Sequence, residues 1–277
     1  YGLVNPAKVV SELRRVCLAQ GVEIFENTPV TSLKRDNDMM RLQTPSANIR
    51  AKQVILATNS AKPLLKRLSM SFIPIYDYSL MTETLSEEQW ASIGWAGSHG
   101  IADSGNQFHY SRKTADNRML WAGFDAIYHY GSDRNDDLLQ RPESFTLLAD
   151  QFVKAFPTLV DVNFDFKWGG IIDTSARTTF FSGLAHRGLV AFAMGFTGQG
   201  ITASRFAALT MLDRLGSLNT ERTRLKMPRR FAVPFPPEPL RSAAVKLAQK
   251  SLAQEDATGK RGRFLKLLDT FGIGFDS

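Results

Sequence analysis

The sequence lacks several features on which whole classes of protein depend. It has a single cysteine, Cys17, so no disulfide can form within the chain. No stretch approaches the ~20 apolar residues of a membrane span, and the first residues have neither the basic region nor the apolar stretch of a secretory signal. We therefore expect a cytoplasmic protein with no integral membrane segment.

Motifs of several enzyme classes are also missing. The histidines show no HExxH spacing and there is no CxxC pair, so we expect no metal site. No GxSxG marks a hydrolase nucleophile. Neither the GxxxxGKS/T phosphate loop nor the GxGxxG dinucleotide fingerprint occurs. The chain starts without methionine and with no strand before its first helix, from which we expect a fragment of a longer polypeptide.

The positive charge is concentrated at one end of the chain. The net charge is +7, and residues 221–277 hold twelve Lys and Arg against six Asp and Glu, so +6 of it lies there. Prolines and two short amphipathic helices, residues 240–253 and 263–271, accompany it. We interpret the tail as a solvated basic face docked through its apolar residues; contact with an acidic partner, a membrane surface or nucleic acid is the alternative. Because no nucleic-acid module motif occurs, we expect no nucleic-acid partner.

Residues 188–215 are the most informative segment. An apolar run at residues 189–194 meets Gly195, Gly198 and Gly200 and is followed by helical periodicity, which predicts a strand, a glycine-rich turn and a helix. Glycine lets the backbone approach a ligand, and a helix start presents unpaired N–H groups to an electron-rich group. The alternative is a turn that only lets the helix pack closely on a sheet.

The opening segment predicts a helix with clear boundaries. Asn5 is the expected N-cap, Pro6 the first helical residue, and Gly21 follows the end. A short strand should follow at residues 22–25. One stripe of the helix is apolar and should be buried; it consists of Val9, Leu13, Val16, Cys17 and Gln20.

Alternating strand patterns predict two groups of extended segments. Residues 30–34, 39–43 and 49–52 read as a small antiparallel meander, and residues 53–56 as a strand ending in small residues. From about residue 71 the sequence predicts an antiparallel sheet that suits substrate binding. Its segments are strands at 72–83, 108–112 and 118–124 and a helix at 142–156. Residues 162–170 and 189–194 should return the chain to the first domain.

Five segments in this order resemble the FAD-dependent D-amino-acid oxidase superfamily, nearest to the branch of glycine/sarcosine oxidase and gamma-glutamylputrescine oxidase. They lie at residues 4–30, 53–60, 110–123, 168–181 and 195–201. The family's GxGxxG is missing, so an N-terminal part is lost, another polypeptide supplies it, or the chain is an inactive remnant.

The resemblance implies an α/β fold in which an antiparallel-sheet substrate domain (α+β) is inserted into a discontinuous, Rossmann-like (GR2-type) FAD-binding domain. The expected divisions are 1–65, a partial FAD-binding domain; 66–165, the substrate domain; 166–220, the return segment; and 221–277, a C-terminal extension. It also implies FAD, which we expect to be noncovalent because Cys17 lies on the wrong element to anchor it.

The resemblance also implies which residues contact the cofactor. Val30 would touch the adenosine end through its backbone, and Gly169 and Gly170 would lie near the ring. The pyrophosphate side would be lined by Ala57, Thr58 and Asn59. The pyrimidine edge of the flavin would be wrapped by Gly195, Phe196, Thr197, Gly198, Gln199, Gly200 and Ile201.

The reaction implied is oxidation of a C–N bond of a small amine or amino acid to an imine by hydride transfer to flavin N5, with Gln199 beside the ring. Tyr110 and Arg112 share a strand face, and Arg112 could hold a substrate carboxylate or be a surface arginine.

The alternatives to an oxidoreductase are a non-catalytic scaffold and a binding module that acts through the basic tail. Four aromatic residues could belong either to the core or to a cage around the substrate, and we favour the core. They are Tyr76, Tyr78, Trp121 and Trp168.

Overall fold

The computed structural model describes residues 2–274, which form two compact units. Unit 1 comprises the chain up to Phe72 together with Ser175–Pro234, and unit 2 comprises Ile73–Thr174 and the chain from Phe235 onward. Unit 1 is therefore discontinuous in sequence, and the predicted C-terminal extension is divided between the two units. The domain boundaries expected from the sequence stay a prediction.

The helices and strands follow one another in a mixed order along the chain. They are α1 (Pro6–Ala19), β1 (Ser32–Asp36), β2 (Met39–Gln43), β3 (Asn48–Ala51), β4 (Val54–Leu56), β5 (Ile73–Thr82), α2 (Glu87–Ser92), β6 (Gly100–Ala102), β7 (His109–Lys113), β8 (Met119–Gly123), α3 (Pro142–Ala155), β9 (Phe164–Thr174), β10 (Phe181–Ala185), β11 (Val190–Met194), α4 (Gly200–Leu215), α5 (Glu221–Arg224), α6 (Leu240–Thr258) and α7 (Arg263–Thr270).

Helix α1 begins where the sequence predicts but is not buried as expected. Asn5 Oδ1 accepts the N–H of Lys8 at 3.1 Å, and Pro6 is the first helical residue. The expected burial of its apolar stripe is wrong, since no residue of α1 is buried and Leu13 is 60% exposed. The strand expected at residues 22–25 is also absent from this part of the described chain. Periodicity shows which residues share a face, whereas burial needs a second surface against that face.

Two three-stranded sheets form the β structure of unit 1. The predicted meander is confirmed as β1, β2 and β3, paired antiparallel in that order. In the second sheet β11 lies between β10, which is antiparallel to it, and β4, which is parallel. Met40 of the meander and Leu56 of β4 join one apolar cluster with Phe192 of β11. Helix α4 packs Ala207 on the alanines of β11.

Unit 2 is built on a five-stranded antiparallel sheet in the order β6, β7, β8, β5 and β9. Phe145, Leu148 and Phe152 of α3 are buried against one face, together with Tyr78 and Trp121. The amphipathic helix expected at 142–156 is confirmed. The strand expected at residues 162–170 corresponds to β9, which pairs with β5 along its whole length.

The segment from Phe235 onward is tied to the rest of unit 2 by its carboxylates. Glu238 accepts the hydroxyl of Tyr128 at 2.6 Å, and Asp256 accepts the backbone N–H groups of Asn106 and Gln107 at 2.8 and 3.0 Å. This segment is thus docked by hydrogen bonds, and docking of the tail through its apolar residues stays a prediction. None of the helices within residues 2–274 combines the length and apolarity needed to cross a bilayer.

Replacing Leu148 with alanine tests the core of unit 2. This side chain is 0% exposed, so Leu148→Ala should lower the free energy of unfolding by about 3 kcal/mol through lost burial and a cavity. The neighbouring Leu147 is 37% exposed, and Leu147→Ala should cost less than about 1 kcal/mol. Denaturant unfolding followed by tryptophan fluorescence measures both, and equal losses would contradict this placement of α3.

Candidate functional site

The strongest candidate site in unit 1 lies at one edge of its second sheet. Strands β4 and β11 are parallel, with Val54 opposite Val190 and Leu56 opposite Phe192. Parallel strands end at the same edge, so the segment after β4 and the glycine-rich turn after β11 emerge together there. The structure therefore brings together two of the segments singled out in the sequence. Ligands of open α/β sheets bind at this edge.

Geometry at Gly195 shows why a glycine begins the turn. Its φ is +78°, and a Cβ built on it would lie 2.7 Å from the Cβ of Ser175. Thr197, itself at φ +49°, donates its hydroxyl to the Gly195 carbonyl at 3.1 Å and accepts the N–H of Ser175 at 3.2 Å. The turn is thus held in one conformation by its own side chain and by the strand exit beside it.

Within the turn, Phe196 faces the core, whereas Gln199 and Ile201 are exposed. Phe196 stacks on Phe180 with centroids 5.3 Å apart, so any ligand contact it makes is through its backbone. Gln199 is exposed and Ile201 is 55% exposed. A Cβ built at Gly200 would meet no heavy atom within 4 Å. The turn is therefore open at the start of α4.

The start of α4 offers hydrogen-bond donors without a built-in acceptor. Gln199 is its N-cap, and no side chain caps the helix there. The first N–H groups of a helix have no partner within the helix, and its N-terminus carries a partial positive charge. The first turn of α4 contains no acidic residue. An electron-rich group can bind there without displacing a carboxylate.

Thr58 carries an unsatisfied hydroxyl in the loop after β4. Its Oγ1 is buried and has no hydrogen-bond partner among the described residues. Leaving such a group unpaired costs about 1–3 kcal/mol, so a hydrogen bond to a water or to an oxygen of a bound ligand would stabilise it. Asn59 next to it has a left-handed backbone at φ +46°, and Ala57 is exposed. Val30 lies outside this sheet, two residues before β1.

Tyr110 and Arg112 lie on β7 in the sheet of unit 2, and by strand alternation they share a face. The hydroxyl of Tyr110 donates to Oδ2 of Asp77 at 2.9 Å. Burial raises the pKa of Asp77, and burial together with the charge of Asp77 raises the pKa of Tyr110. Asp77 is not among the site residues expected from the sequence, although its place between Tyr76 and Tyr78 in a predicted strand is a signal for it.

Gly169 and Gly170 lie on β9 of the same sheet and differ in their surroundings. A Cβ at Gly169 would lie 2.8 Å from the Leu139 carbonyl oxygen, whereas one at Gly170 would meet nothing within 4 Å. Gly170 is the register partner of Asp77. Only Gly170 therefore leaves room for a ligand.

The four aromatic residues divide between the core and the surface. Tyr76, Tyr78 and Trp121 lie in the apolar cluster of unit 2, as expected, whereas Trp168 is 37% exposed. In the described part of the chain no three His, Cys, Asp or Glu side chains come together as metal ligands.

Comparison with known proteins gives consistent matches. The family model described as FAD dependent oxidoreductase (DAO) matches residues 1–214. The chain is 26% identical over 223 residues to the probable oxidoreductase OrdL of Haemophilus influenzae, covering 77% of this chain and 47% of that protein. It is 27% identical over 220 residues to gamma-glutamylputrescine oxidoreductase of Escherichia coli, covering 77% and 48%. The chain thus spans about half the length of the curated relatives it matches.

The crystal structure of glycine oxidase from Geobacillus kaustophilus matches the fold with a TM-score of 0.62 at 19% identity, covering 76% of this chain and 54% of the other. At this identity the likeness concerns the fold. It confirms the expected α/β class, a FAD-binding fold combined with an antiparallel-sheet domain.

Two glycine substitutions test the geometry of the turn. Gly195→Ala should lower the free energy of unfolding by about 1–3 kcal/mol, because φ is positive and the methyl group would meet Ser175. Gly200→Ala places a methyl group in open space at the first residue of α4 and should be neutral or stabilise by up to about 1 kcal/mol. Denaturant unfolding without added ligand measures both, and the reverse order would contradict the described turn.

Proposed function

Because the chain belongs to the family of FAD dependent oxidoreductases, we propose that it forms part of a flavoenzyme that oxidises a C–N bond of an amine or amino acid to an imine. The observation that carries the proposal is the shared edge after β4 and β11, with its unsatisfied Thr58 hydroxyl and its uncapped helix start. Relatives named as gamma-glutamylputrescine oxidoreductase and glycine oxidase support the same chemistry.

The residues at this edge fit FAD. Ala57, Thr58 and Asn59 would hold the pyrophosphate side, with the Thr58 hydroxyl gaining a partner that residues 2–274 do not provide. The turn would wrap the pyrimidine edge of the flavin through Gly195, Phe196, Thr197, Gly198, Gln199, Gly200 and Ile201. Val30 on the adenosine side and Gly170 near the ring belong to the same proposal. Gly169 is included through its backbone, because Leu139 and Tyr78 occupy the space at its Cα.

The contribution of the turn to the reaction is electrostatic. When bound, FAD supplies the acceptor of the two electrons that leave the C–N bond, chemistry that no side chain provides. Backbone N–H groups at the start of α4 would stabilise the negative charge that develops at the pyrimidine edge. Because the turn is already fixed, they need not reorganise during the reaction, and one such donor is typically worth about 3 kcal/mol of barrier. Gln199 would add a neutral donor beside them.

Substrate contacts are proposed for the face of the sheet in unit 2 that lies opposite α3. Tyr110 would orient the substrate, and Arg112 would bind a carboxylate where the substrate has one, since guanidinium pairs with carboxylate through two hydrogen bonds. The noncatalytic alternative, a scaffold that keeps this fold, predicts flavin binding without turnover or no binding at all.

The purified protein should be yellow, and an amine should bleach its visible flavin bands under anaerobic conditions. Diamines, N-methylated amino acids and simple amino acids form the test panel. Acid precipitation should leave the colour in the supernatant, because Cys17 on α1 is not placed to anchor the ring. Bound flavin that no member of the panel reduces would favour the scaffold, and a yellow precipitate would contradict noncovalent binding.

Thr58→Val tests the assignment of the loop after β4. The substitution removes a buried hydroxyl that has no partner, so the protein without FAD should be as stable as the wild type or slightly more stable. Its dissociation constant for FAD should rise about tenfold, because the hydrogen bond to the cofactor is lost. Flavin fluorescence titration and denaturant unfolding measure the two effects.

A threonine with a satisfied hydroxyl provides the matched control. Thr44 Oγ1 donates to the Ala47 carbonyl at 3.1 Å and accepts the Ala47 N–H at 2.9 Å. Thr44→Val should therefore lower stability and leave FAD affinity unchanged. The assignment of Thr58 fails if its variant loses stability in the same way and binds FAD as tightly as the wild type.

A further inference from the structure

We infer that Asp77, held by Tyr110, binds the positively charged nitrogen of the substrate, so that amines without a carboxylate are accepted as ligands. The inference rests on the proposed function and deepens it, because it names the group that is recognised. It adds a contact to the one proposed for Arg112, which concerns only substrates that carry a carboxylate.

The first support is the position of Asp77 on β5. Tyr76 and Tyr78 on either side of it are 0% exposed and belong to the core against α3. Side chains alternate along a strand, so Asp77 and Ser79 project from the opposite face of the sheet. Tyr110 reaches the same face and donates to Asp77 Oδ2 at 2.9 Å.

The second support is that the chain fixes the carboxylate but does not neutralise it. Oδ1 of Asp77 accepts the backbone N–H of Tyr78 at 2.9 Å, and Oδ2 accepts the Tyr110 hydroxyl. Both donors are neutral. Burial raises the pKa of Asp77, and the negative charge of Asp125 raises it further. A cation at this point would lower the energy of the ionised carboxylate.

Two other shielded carboxylates among the described residues have arginine partners. Asp125 accepts from Arg141 at 3.1 Å, and Asp213 pairs with Arg222 at 2.7 Å. Among residues 2–274, no ion pair to Asp77 is found. A buried carboxylate that serves only the fold is normally compensated in this way, so the missing cation points to a ligand.

The third support is the space beside this carboxylate. Gly170 is the register partner of Asp77, it is exposed, and a Cβ built on it would meet no heavy atom within 4 Å. Trp168, two residues along β9 and so on the same face, is 37% exposed. A carboxylate, an aromatic face and a vacant position suit an ammonium group, which aromatic rings attract through their quadrupole.

The experiment measures binding of carboxylate-free amines by calorimetry in the absence of oxygen, on FAD-loaded protein whose flavin has first been reduced, so that oxidation of the amine adds no heat. Putrescine and n-butylamine are the probes, and n-butanol is the uncharged comparison. Wild-type protein should bind at least one of the amines and not the alcohol. Asp77→Asn keeps the size and polarity of the side chain and should weaken amine binding at least tenfold, with the flavin spectrum unchanged.

Two further variants separate recognition from a general loss of structure. Tyr110→Phe leaves the carboxylate in place without its neutral donor and should weaken amine binding less than Asp77→Asn does. Asp150→Asn removes an exposed carboxylate on α3 and should leave binding unchanged. Melting temperatures of all variants check that each is folded.

The possible outcomes distinguish this inference from the proposed function. If neither amine binds the wild type, or if Asp77→Asn binds the amines as tightly as the wild type, the inference is overturned. If no compound of the oxidation panel reduces the flavin, the proposed function fails, whatever the calorimetry shows. Amine binding that depends on Asp77, together with flavin reduction, supports both.

Discussion

The parallel pairing of β4 with β11 is the constraint on which the candidate site depends. Three register pairs, from Val54 opposite Val190 to Leu56 opposite Phe192, fix which ends of the two strands coincide. An antiparallel pairing would send the two following loops to opposite edges of the sheet. As it is, the unsatisfied hydroxyl of Thr58 and the open start of α4 lie at one edge, and one extended ligand can contact both.

Local signals in the sequence were sufficient for the elements that form this edge. The glycines of the turn are required by backbone geometry, since Gly195 has a positive φ and no room for a Cβ, and such requirements are visible in the sequence. The N-cap and proline of α1 likewise set the start of that helix by contacts within a few residues. Burial, in contrast, depends on contacts with residues that are distant in the sequence. The apolar stripe of α1 is correctly periodic, but the described residues place no surface over it.

The sheet of unit 2 shows that the sequence does not predict which strands lie side by side. Alternation along β5 separates Tyr76 and Tyr78 from Asp77, but the sequence does not say that Tyr110, more than thirty residues away, hydrogen bonds to that aspartate. Their meeting depends on β8 lying between β7 and β5, which is a property of strand order. Strand order is set by long-range packing, and a single sequence gives little access to it. For the same reason the sequence does not predict that Trp168 is exposed while Trp121, which has the same residue type, is buried.

Hydrogen–deuterium exchange with and without FAD tests the central claim most directly, because it reports on backbone N–H groups along the whole chain. The account predicts slower exchange on FAD binding in two segments that are distant in sequence, residues 57–59 and 195–202, since both emerge at the edge formed by β4 and β11. FAD binding that leaves exchange in both segments unchanged would contradict it, whichever other part of the protein became protected.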